Sequence, residues 1–137
     1  MILVDTNILV AAARDADTNH SAAASLLQTL TEALLVPPTV LAEACYLLSA
    51  WGSPTAEATF LRAFDTGALT LADLTVTDVR RMADLVEQYA DLRLGGTDAS
   101  LVAIAEPLGI DRIATFDRRH FTVVRPTHVE ALTLLPA

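Results

Sequence analysis

Four carboxylates stand isolated in this sequence. Asp5 follows Ile2, Leu3 and Val4, and no further charge comes before Arg14. Glu43 is the only charged residue between Glu32 and Glu57, and Asp98 the only one between Arg93 and Glu106. Asp117 closes the short run Ile113-Ala114-Thr115-Phe116. A lone carboxylate in apolar surroundings costs several kcal/mol unless it takes up a proton or meets a cation. Ordinary structural roles are open to most of them. Asp5 or Asn7 can cap a helix, Asp98 can be a first-turn acid favoured by the helix dipole, and Asp117 can open a turn. Glu43 resists such a role, because its helical neighbours Val40, Tyr46 and Leu47 are apolar or aromatic. If the four converge they repel one another. The chain has no lysine to neutralise them, since all nine basic residues are arginine. That leaves arginine or a hard divalent cation held by oxygen. Mg2+ typically takes one or two carboxylates with waters and substrate phosphate oxygens, and Mn2+ can substitute.

Other chemistries are excluded more directly. Without lysine there is no Walker P-loop and no Schiff base. No C-x-x-C, H-E-x-x-H, G-x-S-x-G or G-x-G-x-x-G pattern occurs, and the single cysteine, Cys45, sits among Ala and Leu as a core thiol with no disulfide partner. The net charge of -8 argues against a protein that coats nucleic acid indiscriminately, although it permits a local basic patch. Arg112, Arg118, Arg119 and Arg125, with His120 among them, gather around Asp117 in sequence. They read either as solubilising surface charge or as a phosphate-binding rim beside a metal site. No apolar run reaches membrane-spanning length, and the N-terminus lacks the basic region and cleavage pattern of a signal peptide. A cytoplasmic location is the expectation.

The elements that must carry these residues alternate between strand and helix. Ile2–Val4 reads as a buried strand, followed by a short helix over residues 8–14 and an amphipathic helix over 20–33, with His20 packed on its apolar stripe. Leu34–Val36 is a second strand, stopped by Pro37-Pro38. Helices follow from Thr39 to Trp51 and from Pro54 to Asp65, ended by Gly52 and Gly67. Leu69–Leu71 is a third strand. Residues 78–91 show an apolar stripe of Val79, Met82, Ala83, Val86 and Ala90 opposite a solvated one of Arg80, Asp84, Glu87 and Asp91. Gly95-Gly96-Thr97 feeds a helix from Asp98 to Leu108, Ile113–Thr115 is a buried strand, and Thr122–Val124 is a last strand before Pro126. The apolar tail docks as an edge or covers a face. Hydrophobic residues make up 53% of the 137, enough for one domain spanning 1–137 with apolar surface to spare for a partner or a second copy. The fold class is α/β, a sandwich around a short, mainly parallel central sheet. Ligands in such sheets bind beyond the carboxyl ends of the strands, where Asp5 and Asp117 stand.

In order and setting, Ile-Leu-Val-Asp5-Thr-Asn7, Val-Leu-Ala-Glu43-Ala, Gly-Gly-Thr-Asp98-Ala-Ser-Leu-Val-Ala and Ile-Ala-Thr115-Phe-Asp117-Arg-Arg-His-Phe resemble the motifs of PIN-domain ribonucleases, and more closely of VapC-type toxins from bacterial type II toxin–antitoxin pairs. The resemblance covers nearly the whole chain. It implies a PIN-like three-layer sandwich and a catalytic site of Asp5, Glu43, Asp98 and Asp117. Asp5 and Asp98 would be the principal ligands of Mg2+ or Mn2+, with Glu43 and Asp117 acting partly through water. Asn7 and Thr115 would support the site by hydrogen bonding, and Arg118 and Arg119 are candidate phosphate or RNA contacts. The resemblance also implies an RNA substrate, a cognate VapB-type antitoxin and a homodimer.

The implied reaction is metal-dependent hydrolysis of an RNA phosphodiester, leaving a 5′-phosphate and a 3′-hydroxyl. Three other readings compete with it. Metal-free cleavage through the RNA 2′-hydroxyl would use His20, His120 or His128 and leave a 2′,3′-cyclic phosphate. A non-catalytic module would dock a partner's arginine in the acidic pocket. A nuclease for structured DNA would need a helical arch or basic segment that this short chain lacks.

Overall fold

The computed structural model describes residues 1–137. Its core strand is β1 (Ile2–Val4), three apolar residues with no exposed surface at all. On one side it pairs with β2 (Leu34–Val36), and β2 with β3 (Thr70–Leu71); on the other it pairs with β4 (Arg112–Ala114), and β4 with β5 (Thr133–Leu135). All four ladders are parallel, giving the order β3-β2-β1-β4-β5. Strands buried this completely carry continuous apolar runs because helices cover the sheet.

Seven helices do so: α1 (Thr6–Ala13), α2 (His20–Thr29), α3 (Pro38–Trp51), α4 (Pro54–Thr66), α5 (Val76–Gln88), α6 (Gly96–Leu108) and α7 (Arg118–Phe121). The α/β sandwich expected from the sequence is therefore present, with a sheet that is wholly parallel. Helix α6 is its buried wall. Ala99 to Ala105 are all inaccessible, and the helix ends at Gly109, whose φ of 66° is the left-handed turn glycine adopts without steric penalty.

Three expectations need correction. Thr122–Val124 is not a strand. Asp117 caps α7, and the N–H groups of Thr122, Val123 and Val124 then bond back to the carbonyls of Arg118 and His120, so none remains for a ladder. The fifth strand comes from the tail instead, with Arg112 in register with Thr133. The stripe assigned to α5 is rotated: Val79 and Val86 are exposed, while Asp78 and Leu85 are buried. Two polar contacts set that rotation. Asp78 closes a capping box with Thr75, and Arg81 forms a bidentate pair with Glu106 of α6 at 2.7 and 3.0 Å. Finally, Glu43 lies exposed on α3, not buried among its apolar neighbours, and Tyr46 one turn on is 72% exposed.

Candidate active site

Parallel pairing puts the ends of β1 and β4 side by side. Val4 is in register with Ala114, and the Asp5 N–H donates to the Ala114 carbonyl at 2.9 Å. Asp5 therefore leaves the sheet beside Thr115, although 110 residues separate them. The residue is 4% exposed, and both oxygens of its carboxylate are hydrogen-bonded. Oδ1 accepts the Thr6 N–H at 2.7 Å; Oδ2 accepts the Thr115 hydroxyl at 2.8 Å and the Asn7 amide at 3.3 Å.

Asn7 and Thr115 act as the hinge pins of this edge. The Asn7 amide also reaches Thr115 Oγ1 at 3.3 Å, and its oxygen accepts the Phe116 N–H at 3.0 Å. Thr115 Oγ1 accepts the Asp117 N–H at 3.0 Å. One hydroxyl thus links the backbone of Asp117 to the carboxylate of Asp5. Asp117 in turn caps α7 through the His120 N–H at 3.0 Å and meets His120 Nδ1 at 2.6 Å.

Asp98 lies half-buried in the first turn of α6. Together with Asp117 and His120 it offers ligand atoms that all lie within 4.8 Å of one another. Glu43 completes the set from α3, its charge acting on both Asp5 and Asp98. Asp5, Asp98 and Asp117 thus stand together beyond the carboxyl ends of β1 and β4, with Glu43 within electrostatic reach. A contact that sequence reading missed fixes the two helices involved. Ser100 on α6 shares a 2.6 Å hydrogen bond with Thr39 on α3 while donating to the Thr97 carbonyl at 2.6 Å. Thr39 is one helical turn before Glu43, and Ser100 two residues after Asp98. The only sequence signal was a serine inside an apolar helical run.

The electrostatics follow from this crowding. Burial, opposed by the donors Thr115 and Thr6 and reinforced by Asp98 and Glu43, raises the Asp5 pKa to about 6. Burial and the neighbouring Asp117 raise that of Asp98 as well. Such a site resists its own negative charge until something positive enters. The residues fit a hard divalent cation: the donors are carboxylate oxygens, three of them on strand or helix ends, and no arginine pairs with any of the four.

The arginines divide. Arg112 pairs with Glu32 at 3.6 Å from the amino end of β4, away from Asp117, and Arg125 folds back on the carbonyls of Thr122 and Val124. Arg118 donates to the Pro136 carbonyl, whereas Arg119 is exposed and has no partner. His20 is a packed histidine bonded to the Ala11 carbonyl at 2.8 Å, and His128 meets the Ile110 carbonyl at 2.6 Å. A cavity of about 870 Å³ between the β2–β3 edge, α5 and α6 contains none of the four acids. It is lined mainly by apolar groups such as Leu35, Leu71 and Ile104, so the site is placed by its chemistry and not by cavity size.

A parallel sheet with an oxygen-rich acidic site at its carboxyl edge defines a class of α/β proteins that bind their ligands at that edge. Comparison with known proteins narrows the class. The profile of the PIN domain family matches residues 2–125. Ribonuclease VapC26 of Mycobacterium tuberculosis is 33% identical over 135 residues, 98% of this chain and all of that protein. The chain belongs to the PIN domain family. Among solved structures, Mycobacterium tuberculosis VapC20, described as a sarcin–ricin-loop-cleaving toxin, aligns with a TM-score of 0.84 at 19% identity, covering 95% of this chain and 99% of that one. VapBC2 from Rickettsia felis, bound to a promoter DNA fragment, gives 0.68 at 20% identity over 98% of each chain. FitAcB from Neisseria gonorrhoeae gives 0.58 at 17% identity, over 85% of this chain and 88% of that one.

Proposed function

We propose that this protein is a metal-dependent endoribonuclease, the toxin of a VapBC-type pair. The observation that carries the reading is the buried Asp5 carboxylate, pushed up to about 6 by burial at an edge it shares with Asp98 and Asp117, with Glu43 within electrostatic reach. The full-length relationship to a named ribonuclease supports RNA as the substrate. Asp5 and Asp98 are the proposed ligands of Mg2+, for which Mn2+ can substitute. When bound there, the cation would neutralise phosphate charge and make a nearby water more acidic.

The chain's own groups do the rest. Asn7 and Thr115 hold Asp5 in one rotamer and tie its strand to Asp117. Either Glu43, exposed on α3, or Asp117, half-buried at the start of α7, would hold the attacking water and take its proton. Arg119 offers an unpaired guanidinium to a phosphate oxygen. Hydrolysis in this way leaves a 5′-phosphate.

A cognate VapB-type antitoxin and a second copy of the chain are the proposed covers for exposed apolar side chains such as Tyr46, Trp51 and Val76. No helix is long and apolar enough to cross a membrane, and we place the activity in the cytoplasm, where its RNA would be. Mapping 5′ ends of cellular RNA after induction tests the proposal. Wild type should generate new 5′-phosphate ends and Asp5→Asn none; identical ends from both would rule it out.

A further inference from the structure

The sequence offered His120 as one member of a basic cluster and as an acid or base for metal-free cleavage, and the proposed reaction does not use it. Its ring is nonetheless among the best-held polar groups in the molecule. Asp117 is gripped twice by this one residue: the His120 backbone N–H donates to Oδ1 at 3.0 Å, and ring Nδ1 meets Oδ2 at 2.6 Å. The other ring nitrogen, Nε2, lies 3.2 Å from the Leu92 carbonyl. Leu92 ends a short 3-10 turn, Ala90–Leu92, and four residues later the chain enters α6 with Asp98 in its first turn. The ring therefore spans the two segments that deliver Asp117 and Asp98.

We infer that His120 is a positioning residue, which fixes the Asp117 carboxylate toward the cation and anchors that carboxylate to the turn that presents Asp98. The inference rests on the metal-dependent reading of the site. Its ring is close enough to Asp98 and Asp117 to serve as a ligand itself, but both nitrogens already face oxygen acceptors. Ligation would sacrifice one of those contacts, and a hard cation gains more from carboxylate oxygen than from imidazole. Carboxylates and histidines that orient metal ligands through their second hydrogen bond typically contribute about 10- to 100-fold in metal affinity.

Mn2+ binding by calorimetry on the full-length protein, purified free of any partner, tests this at fixed pH. An asparagine amide overlays the Nδ1 position and can still donate to Asp117, whereas a glutamine amide reaches the Nε2 position and can still donate to Leu92. His120→Asn, which keeps the Asp117 contact and gives up only that to Leu92, should therefore lose clearly less Mn2+ affinity than His120→Gln. His120→Gln should lose about 10- to 100-fold in affinity while retaining the Leu92 anchor that keeps the turn folded. In an Asp117→Asn background the His120→Gln loss should largely vanish, since the two residues act as one unit. A loss that persists in full in that background, or an equal loss in His120→Asn, would make the ring a direct ligand and overturn the inference. So would a folded His120→Gln variant with unchanged affinity, which would reduce His120 to a helix contact. A wild-type protein that binds no Mn2+ while its variants fold normally would instead remove the metal-dependent reading beneath it, and the inference with it.

Discussion

Asp5 should make the metal-free protein less stable, and removing its charge should make it more so. The folded-state pKa of about 6 stands above the ordinary value of 3.8. The folded protein thus holds this proton more tightly than the unfolded chain does. Because the shift is upward, the associated stability is present below pH 3.8 and lost as the pH rises to about 6. At about 1.4 kcal/mol per pH unit, ionised Asp5 costs the ligand-free fold about 3 kcal/mol at pH 8. Asp5→Asn cannot ionise. It keeps an oxygen for the Thr6 N–H but turns its amide toward Thr115 Oγ1, a rearrangement that costs about 1 kcal/mol. The net gain is about 2 kcal/mol, or roughly 8 °C in melting temperature for a chain of this size. Thermal melts followed by circular dichroism in EDTA should show that gap at pH 8 and its disappearance as the pH falls towards 4. Mn2+ at a hundred times its Kd should then raise wild type by about 2.7 kcal/mol and leave Asp5→Asn where it was. A variant that melts at or below wild type in EDTA at pH 8 would refute the reasoning, for the hydrogen bonds of Asp5 would then outweigh the cost of burying its charge.

Three further outcomes follow from the same contacts. Thr115→Val removes a donor to Asp5 and the acceptor of the Asp117 N–H; it should lower stability at pH 8 in EDTA by about 1–3 kcal/mol, with a smaller loss near pH 4. Arg81→Ala strands Glu106, whose pKa is lowered because Arg81 and the Thr127 N–H outweigh its burial. The loss, about 2 kcal/mol at pH 7, should fade in denaturant melts as the pH falls below the ordinary Glu value of 4.5. Leu101→Ala opens a cavity in the buried wall of α6 and should cost about 2–5 kcal/mol, read from chemical denaturation.

How much of this was readable beforehand differs by residue, for physical reasons. The convergence of Asp5, Asp98 and Asp117 was legible because a charge interrupting an apolar run has few structural excuses, and parallel sheets put their strand ends on one edge. Glu43 was legible for a mistaken reason. Its neighbours are apolar, yet Tyr46 and Glu43 itself face solvent, because part of the apolar surface of α3 is not used by the core. Periodicity alone could not orient α5, since a capping box and the Arg81–Glu106 pair decided which stripe turned inward. Nor could β propensity at Thr122–Val124 compete with a helical turn that had already consumed its N–H groups. The Thr39–Ser100 and Asp117–His120 contacts were invisible for a simpler reason. Hydroxyls and histidines occur widely, and only three-dimensional proximity tells which of them hold a site together.

The central claim is that carboxylate-held metal drives hydrolysis of RNA by this chain itself. Its most direct test is single-turnover cleavage of end-labelled RNA by purified, partner-free protein, with product ends identified. Wild type with Mg2+ or Mn2+ should release 5′-phosphate products, and both EDTA and Asp5→Asn should stop the reaction although the variant folds. Cleavage that survives EDTA and Asp5→Asn, or that leaves 2′,3′-cyclic phosphates, would contradict it.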